Sequence, residues 1–354
     1  MALKNFRKET SERSDSLNWA KVKLSKNTGL FFESIEGCNQ NKDNVVTHLF
    51  ERMRVDFDSS FKGTLPEILS EIIVQEGKQA LQRKINFSHT FGLNLSYVLY
   101  CDEIEKVYLF ELSSNEDIQF KQVFESYDQF STWIGTIKGW ISTKPFRENQ
   151  DLPYFDKVLR KAGTAWPTNI DCFVCDAQSE PISIIEFQNT KNVSVETHSN
   201  NDFFLCKYIK SNDLRRWFSQ EILRVQSGLR LFVITWSQNE NGYKLDEIDK
   251  IISPSFFNDK LKIDWSLKQK YELDLNRYTL NPSTENRKSV SDQYNSVSID
   301  YEKNSQKMEM FVHKSPLNTE NKTFPSIYYL QKKYVKNNQN QLVIDFMEMI
   351  AKEK

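Results

Sequence analysis

The chain has 354 residues, 39% of them hydrophobic and 13% aromatic, with a formal net charge of −1. That length predicts two domains, or one with large additions, and the apolar content is enough for a sizeable core. The charge balance excludes a polycation, so any nucleic-acid contact must rest on local patches. No signal-peptide core opens the chain, and no apolar run approaches the ~20 residues of a membrane span. A cytoplasmic protein without membrane contact is therefore expected.

Residues 1–26 are polar and mildly basic, and read as a solvated start. Residues 44–55 carry apolar groups at helical spacing and predict a helix. A second helix is predicted over 65–83, opened by Thr64 and Pro66, with Gly77 placed to end or bend it. Residues 91–100 and 106–112 alternate in the strand manner across an acidic turn and predict a hairpin. A helix is predicted between 119 and 140, where Phe120, Val123, Phe124, Tyr127, Phe130, Trp133, Ile134 and Ile137 recur at helical intervals. Residues 100–128 hold eight acids against two lysines, a surface that would repel a phosphate backbone. These features predict an α+β accessory region over 1–145, closed by a polar boundary at 144–150.

The next stretch carries the chemistry. A helix is predicted over 152–163, with Gly163 as its C-cap. Strands are predicted over 169–176 and 182–188, joined by a polar turn closed by Pro181. Side chains alternate along a strand, so Glu186 and Gln188 share a face with Ile182 and Ile184. Asp171 begins the first strand and can meet the same edge if the two strands pair. Carboxylates so placed suit a hard divalent cation, which takes oxygen ligands and completes its shell with water and phosphate. Asp176 is a rival first acid, but it lies at the turn, where Asp is common. Cys172 and Cys175 form a C-x-x-C, yet on a strand they face opposite ways, and the five cysteines read as reduced thiols. An amphipathic helix is predicted over 211–225, with Ser211, Asn212 and Asp213 suited to its N-cap, and a buried strand over 229–236.

Towards the end, 245–252 predicts a short helix and 261–280 mixed, strand-prone sequence. Residues 281–304 are rich in Ser and Asn and read as a linker or a long exposed loop. A C-terminal extension follows over 305–354. In it, residues 328–336 interleave tyrosines with Lys332, Lys333 and Lys336, and a terminal apolar helix comes after. Rings and lysines in alternation can serve nucleic acid, but docking of the terminal helix is the favoured reading.

These residues resemble the PD-(D/E)xK nuclease superfamily, the restriction-endonuclease-like fold. Pro167 stands four places before Asp171, and Glu186-Phe187-Gln188 stands where the family has Glu-x-Lys. Gln is a departure that some restriction enzymes of the superfamily share. The order helix, strand, strand, helix, strand is that of the family's core. The resemblance covers about a quarter of the chain. It implies an α/β fold with a restriction-endonuclease-like core, a mixed sheet flanked by helices, over 149–280. It also implies hydrolysis of phosphodiester bonds with Mg²⁺ or Mn²⁺ as cofactor, most naturally as a DNA endonuclease in restriction or phage defence. Asp171 and Glu186 would hold the metal, with Asp156 on the preceding helix as an added acid. Gln188 would orient water, Lys191 could bring the missing positive charge, and Arg215, Arg216, Lys207 and Lys210 would meet phosphates. The partner implied is double-stranded DNA, with a homodimer or partner subunit left open. The alternative is a nuclease fold that no longer cuts and serves as a nucleic-acid-binding or subunit-docking module.

Overall fold

The structure, a computed structural model, describes residues 3–8, 14–25, 28–57, 63–139, 141–142, 152–190, 194–196, 198, 213–252 and 326–352. Among them the fold is α/β, with a large mixed sheet of eleven strands flanked by helices. The chain divides into two compact units, Met1–Ile185 with Gln226–Leu229, and Glu186–Val225 with Arg230–Lys354. The division falls inside a strand, so the helix at 154–161 and the strand at 168–175 lie in the first unit. The strand-prone stretch 261–280, the linker 281–304 and the start of the C-terminal extension lie outside the described residues.

The first unit runs β1 (Leu3–Arg7), α1 (Ser14–Leu24), β2 (Phe31–Gln40), β3 (Val46–Phe57), α2 (Leu65–Glu76) and α3 (Lys78–His89). It continues with β4 (Leu95–Cys101), β5 (Lys106–Ser114), β6 (Asp117–Phe124), α4 (Tyr127–Lys138), α5 (Tyr154–Lys161) and β7 (Thr168–Cys175). Strands β7, β2, β3, β4, β5 and β6 lie side by side in that order, with β1 also on β3. The β3–β4 pair is parallel and the other pairs antiparallel.

Three sequence expectations in the first unit need correction or trimming. The stretch 44–55 belongs to β3 and not to a helix. Its apolar residues fit a helical period because both faces of this strand are buried: Leu49, Met53 and Val55 on one, Phe50 on the other. Pairing with β2 on one side and β4 on the other supplies what propensity alone left open. Within 119–140, β6 takes the first part and α4 only the second, because Ile118 to Phe124 complete the edge of β5. The predicted helix over 65–83 is two helices, divided at Gly77, whose φ of 83° is a conformation that side-chain-bearing residues avoid.

The core of this unit is aromatic. Phe50, Tyr100, Phe124, Tyr127, Phe130 and Phe155 are buried together, with Trp133 and Trp166 packed against them. Tyr100 stacks on Phe155 at 4.4 Å between centroids, and Phe87 on Phe173 at 4.2 Å.

β8 (Pro181–Asn189) leads into the second unit, which holds α6 (Asp213–Ser227) up to Val225, then β9 (Arg230–Trp236), β10 (Tyr243–Ile252), β11 (Ser326–Val335) and α7 (Leu342–Ala351). Strands β9, β10 and β11 form an antiparallel set. The predicted helix over 245–252 is thus a strand. Leu245, Ile248 and Ile251 are three apart and all buried, a spacing that mimics a helix. Register shifts at Glu247/Ile248 and Ile248/Lys250 change the strand's phase and allow it.

The terminal helix docks, as its apolar face predicts. Phe346 packs edge-on against Phe232 at 5.2 Å. Arg230 grips Glu247 with two bonds of 2.6 and 2.8 Å and donates to the carbonyls of Met349 and Ile350 at the helix end. A cation at a helix C-terminus meets both orphan carbonyls and the negative end of the dipole. Between β9 and β10 the turn is closed by Asn241 and Gly242. A Cβ on Gly242 would lie 2.6 Å from the Lys336 carbonyl oxygen, so no other residue fits there.

Candidate active site

The hairpin of β7 and β8 forms where the sequence places it. The strands pair antiparallel, with Phe173 opposite Ile184 and Cys172 opposite Ile185. The turn is built by Asp176, whose Oδ1 accepts from the backbone N–H of Gln178 and of Glu180, each at 2.9 Å. Its carboxylate is spent on the turn, which removes the reason to consider it as the first acid. Cys172 and Cys175 are buried, and the described cysteines are free thiols. Burial pushes the Cys175 thiol up to about 12.

Glu186 is 2% exposed. Its two oxygens are held separately: Gln188 Nε2 donates to Oε1 at 3.3 Å, and Gln220 Nε2 donates to Oε2 at 3.0 Å. Glu186 and Gln188 meet because residues two apart share a strand face. Gln220 arrives from α6, on the stripe that also carries buried Trp217 and Leu223. The far end of β8 is anchored as well. Thr190 N–H donates to the Trp236 carbonyl at 2.9 Å, and Ser237 Oγ donates to the Thr190 carbonyl at 3.0 Å. A carboxylate clamped through both oxygens on an anchored strand is fixed in orientation.

The other expected site residues stand as follows. Asp171 is half-buried, one residue before the Cys172–Ile185 pair, and accepts from Asn169 Nδ2 at 3.0 Å. Asp156, on α5, is buried, and both its oxygens are taken by Arg52, at 2.9 and 3.1 Å. Arg52 also reaches Glu36 at 3.2 Å and lies over the Trp166 ring at 4.6 Å. A metal ligand at Asp156 would have to break this pair, so its present work is to neutralise the half-buried Arg52. Arg215 and Arg216 lie in the first turn of α6. Lys191, Lys207 and Lys210 lie outside the described residues.

Sequence reading missed two groups. Gln220 was legible as a polar residue on an otherwise apolar helical stripe, with Trp217 and Leu223 three places to either side. The second group is a buried ionic cluster in the first unit, drawn from segments too far apart in sequence to be associated. Lys8 bonds to Glu51 at 2.7 Å, and also pairs with Glu76. Lys84 lies 2.9 Å from each of the same two carboxylates. Tyr97 donates to Glu76 at 2.9 Å. Burial and the neighbouring Glu51 raise the Glu36 carboxyl to about 7. Burial would also raise Glu76, but Lys84 and Lys8 outweigh it and hold that carboxyl well below its usual range.

Among the described residues no group of three or more His, Cys, Asp or Glu side chains is arranged to hold a metal ion. The donors gathered at Glu186 are a carboxylate and carboxamides. The carboxamides turn their nitrogens to Glu186, and the carboxylate and the amide oxygens are donors of the hard kind that Mg²⁺ or Mn²⁺ takes, with water and substrate as the remaining ligands. No described helix is long and apolar enough to cross a membrane. Comparison with family models, with curated proteins and with solved structures finds no match.

Proposed function

We propose that this chain is a metal-dependent nuclease that hydrolyses phosphodiester bonds, acting on double-stranded DNA in restriction or defence against foreign DNA. The observation that carries the reading is the Glu186 carboxylate, buried on the second strand of a hairpin and clamped by Gln188 and Gln220. Burying a carboxylate is costly, and two amide donors meet its oxygens and fix their direction. The order α5, β7, β8, α6, β9 adds support, since it is the order the resemblance requires.

In this reading Asp171 and Glu186 hold Mg²⁺ or Mn²⁺. The bound ion would supply charge neutralisation at the scissile phosphate and a water of lowered pKa. Gln188 orients by hydrogen bonding and cannot act as a base, because a carboxamide does not titrate. Lys191 brings the positive charge that Gln188 lacks, and Arg215, Arg216, Lys207 and Lys210 contact phosphates.

The test is direct. Supercoiled plasmid incubated with the protein and Mg²⁺ or Mn²⁺ is nicked or linearised, and EDTA or Asp171→Ala stops the reaction. A folded protein that leaves plasmid, linear duplex and single strands intact with both metals overturns the reading. It would favour the alternative of a nuclease fold kept for binding or subunit docking.

A further inference from the structure

Gln220 carries an unanswered polar atom. Its residue is 3% exposed, and its Oε1 is buried with no hydrogen-bond partner among the described residues. The amide orientation follows from its neighbour: turned over, the oxygen would face Glu186 Oε2, acceptor against acceptor. The nitrogen is therefore committed to the carboxylate, and the oxygen is held beside it with no donor. Trp217 and Leu223 occupy the same helical stripe, so the Gln220 carboxamide is a polar group set among buried apolar neighbours. A buried acceptor left open next to an anion is matched by a cation or by the water a cation holds. Gln carbonyl oxygens are ordinary ligands of hard divalent ions.

We propose that Gln220 completes the divalent-cation site at Glu186, its nitrogen fixing the carboxylate and its oxygen joining the ion's oxygen shell. This rests on the nuclease reading and extends it to a residue of the following helix. The division of labour is specific. Removing the whole carboxamide releases Glu186 and also removes an oxygen donor, whereas exchanging it for a carboxylate keeps the oxygen and adds charge.

The experiment is calorimetric titration of the full chain with MnCl₂ in the absence of nucleic acid, with metal-free thermal melts alongside. Gln220→Met, similar in length and without amide atoms, raises the Mn²⁺ Kd by about 10- to 100-fold, the range for groups that support metal ligands. Gln220→Glu lowers the metal-free melting temperature, because two carboxylates are then pressed together, and binds Mn²⁺ more tightly than the parent. A merely structural glutamine would lower the melting temperature in both variants and leave the Kd unchanged, and that result overturns the proposal. If Gln220→Met does not fold, Gln220→Glu decides alone: an unchanged or weaker Kd overturns it. Glu186→Gln separates the two levels. Loss of Mn²⁺ binding there, with Gln220→Met binding like the parent, sinks only the role of Gln220. A parent that binds no Mn²⁺ sinks the nuclease reading with it.

Discussion

Glu51 and Glu186 invite comparison, for each is a buried glutamate on the second strand of an antiparallel hairpin that leads into a helix. Glu51 is met by two ammonium groups, those of Lys8 and Lys84, which also serve Glu76. The donors described at Glu186 are two carboxamides. In the first case opposite charges are locked together, and the cluster braces β1, β3 and the α2–α3 pair against one another within one unit. In the second, two carboxamides hold the oxygens by hydrogen bonds. On the proposed reading, the same residue type at matching points of two hairpins serves as a brace in one and as a metal ligand in the other. The partner decides which.

The comparison is most sharply tested by removing charged groups on each side. Glu186→Ala and Asp171→Ala are expected to reduce cleavage by at least about 100-fold, the scale on which loss of an electrostatic or positioning group acts. Glu186→Ala also strands two amide donors, so its melting temperature falls, while Asp171→Ala, at a half-buried position, melts near the parent. Cleavage plots and melts on both variants would expose a wrong assignment if either cuts normally. On the brace side, Lys84→Ala takes away one of the two ammonium groups that Glu51 and Glu76 share and leaves Lys8 to answer both. It is expected to cost about 3–5 kcal/mol by denaturant titration, with metal affinity untouched if the chain still folds. A loss under ~1 kcal/mol would mean that the cluster behaves as surface charge.

A milder effect follows from Glu36. Its folded value of about 7 lies above the ordinary 4.5. The group therefore contributes stability below about 4.5, and loses that contribution as pH rises through 7 and the buried carboxyl ionises. Glu36→Gln, which cannot ionise, should gain on the parent between pH 5 and pH 8 in paired melts. A constant difference across that window removes Glu36 from the account. The smallest effect concerns the terminal patch. Lys333 is answered by Asp345 at 2.6 Å, Lys332 lies over Tyr329 at 4.6 Å and Lys336 sits 3.6 Å from Glu196. Lys333→Ala should hardly change the salt dependence of DNA binding, whereas a true phosphate contact would shift the log–log slope by about 0.9. Deleting 326–354 instead costs stability, because β10 loses its partner strand and Phe232 its ring contact.

Much of this was legible in the sequence, and the exceptions share a cause. The hairpins of β4–β5 and β7–β8 were readable because adjacent strands with a short turn carry their own pairing partners. α5, α6 and α7 were readable from stripes. β3 and β10 were misread as helices, since a strand buried on both faces, or shifted by a bulge, loses the period of two that identifies it. At the candidate site, Glu186 and Gln188 could be named from spacing. Gln220 needed the fold to bring it thirty-odd residues back onto its partner. Asp156 shows the reverse: its position fitted the resemblance, but Arg52, a distant residue on β3, has claimed it.

The turn at Asn241–Gly242 has a consequence for the lifetime of the molecule. An asparagine followed by glycine is where a polypeptide chemically ages, because the next backbone nitrogen can attack the side-chain amide, expel ammonia and rearrange to isoaspartate. Here the Asn241 amide is tied at both ends, Nδ2 to the Asn337 carbonyl at 2.9 Å and Oδ1 to the Gln339 N–H at 3.3 Å. Gln339 in turn is pinned to the carbonyls of Ser237 and Glu240. Cyclisation must wait until residues 337–339 let go. Isoaspartate at 241, measured by peptide mapping of stored protein, is therefore a slow clock that counts openings of the C-terminal segment.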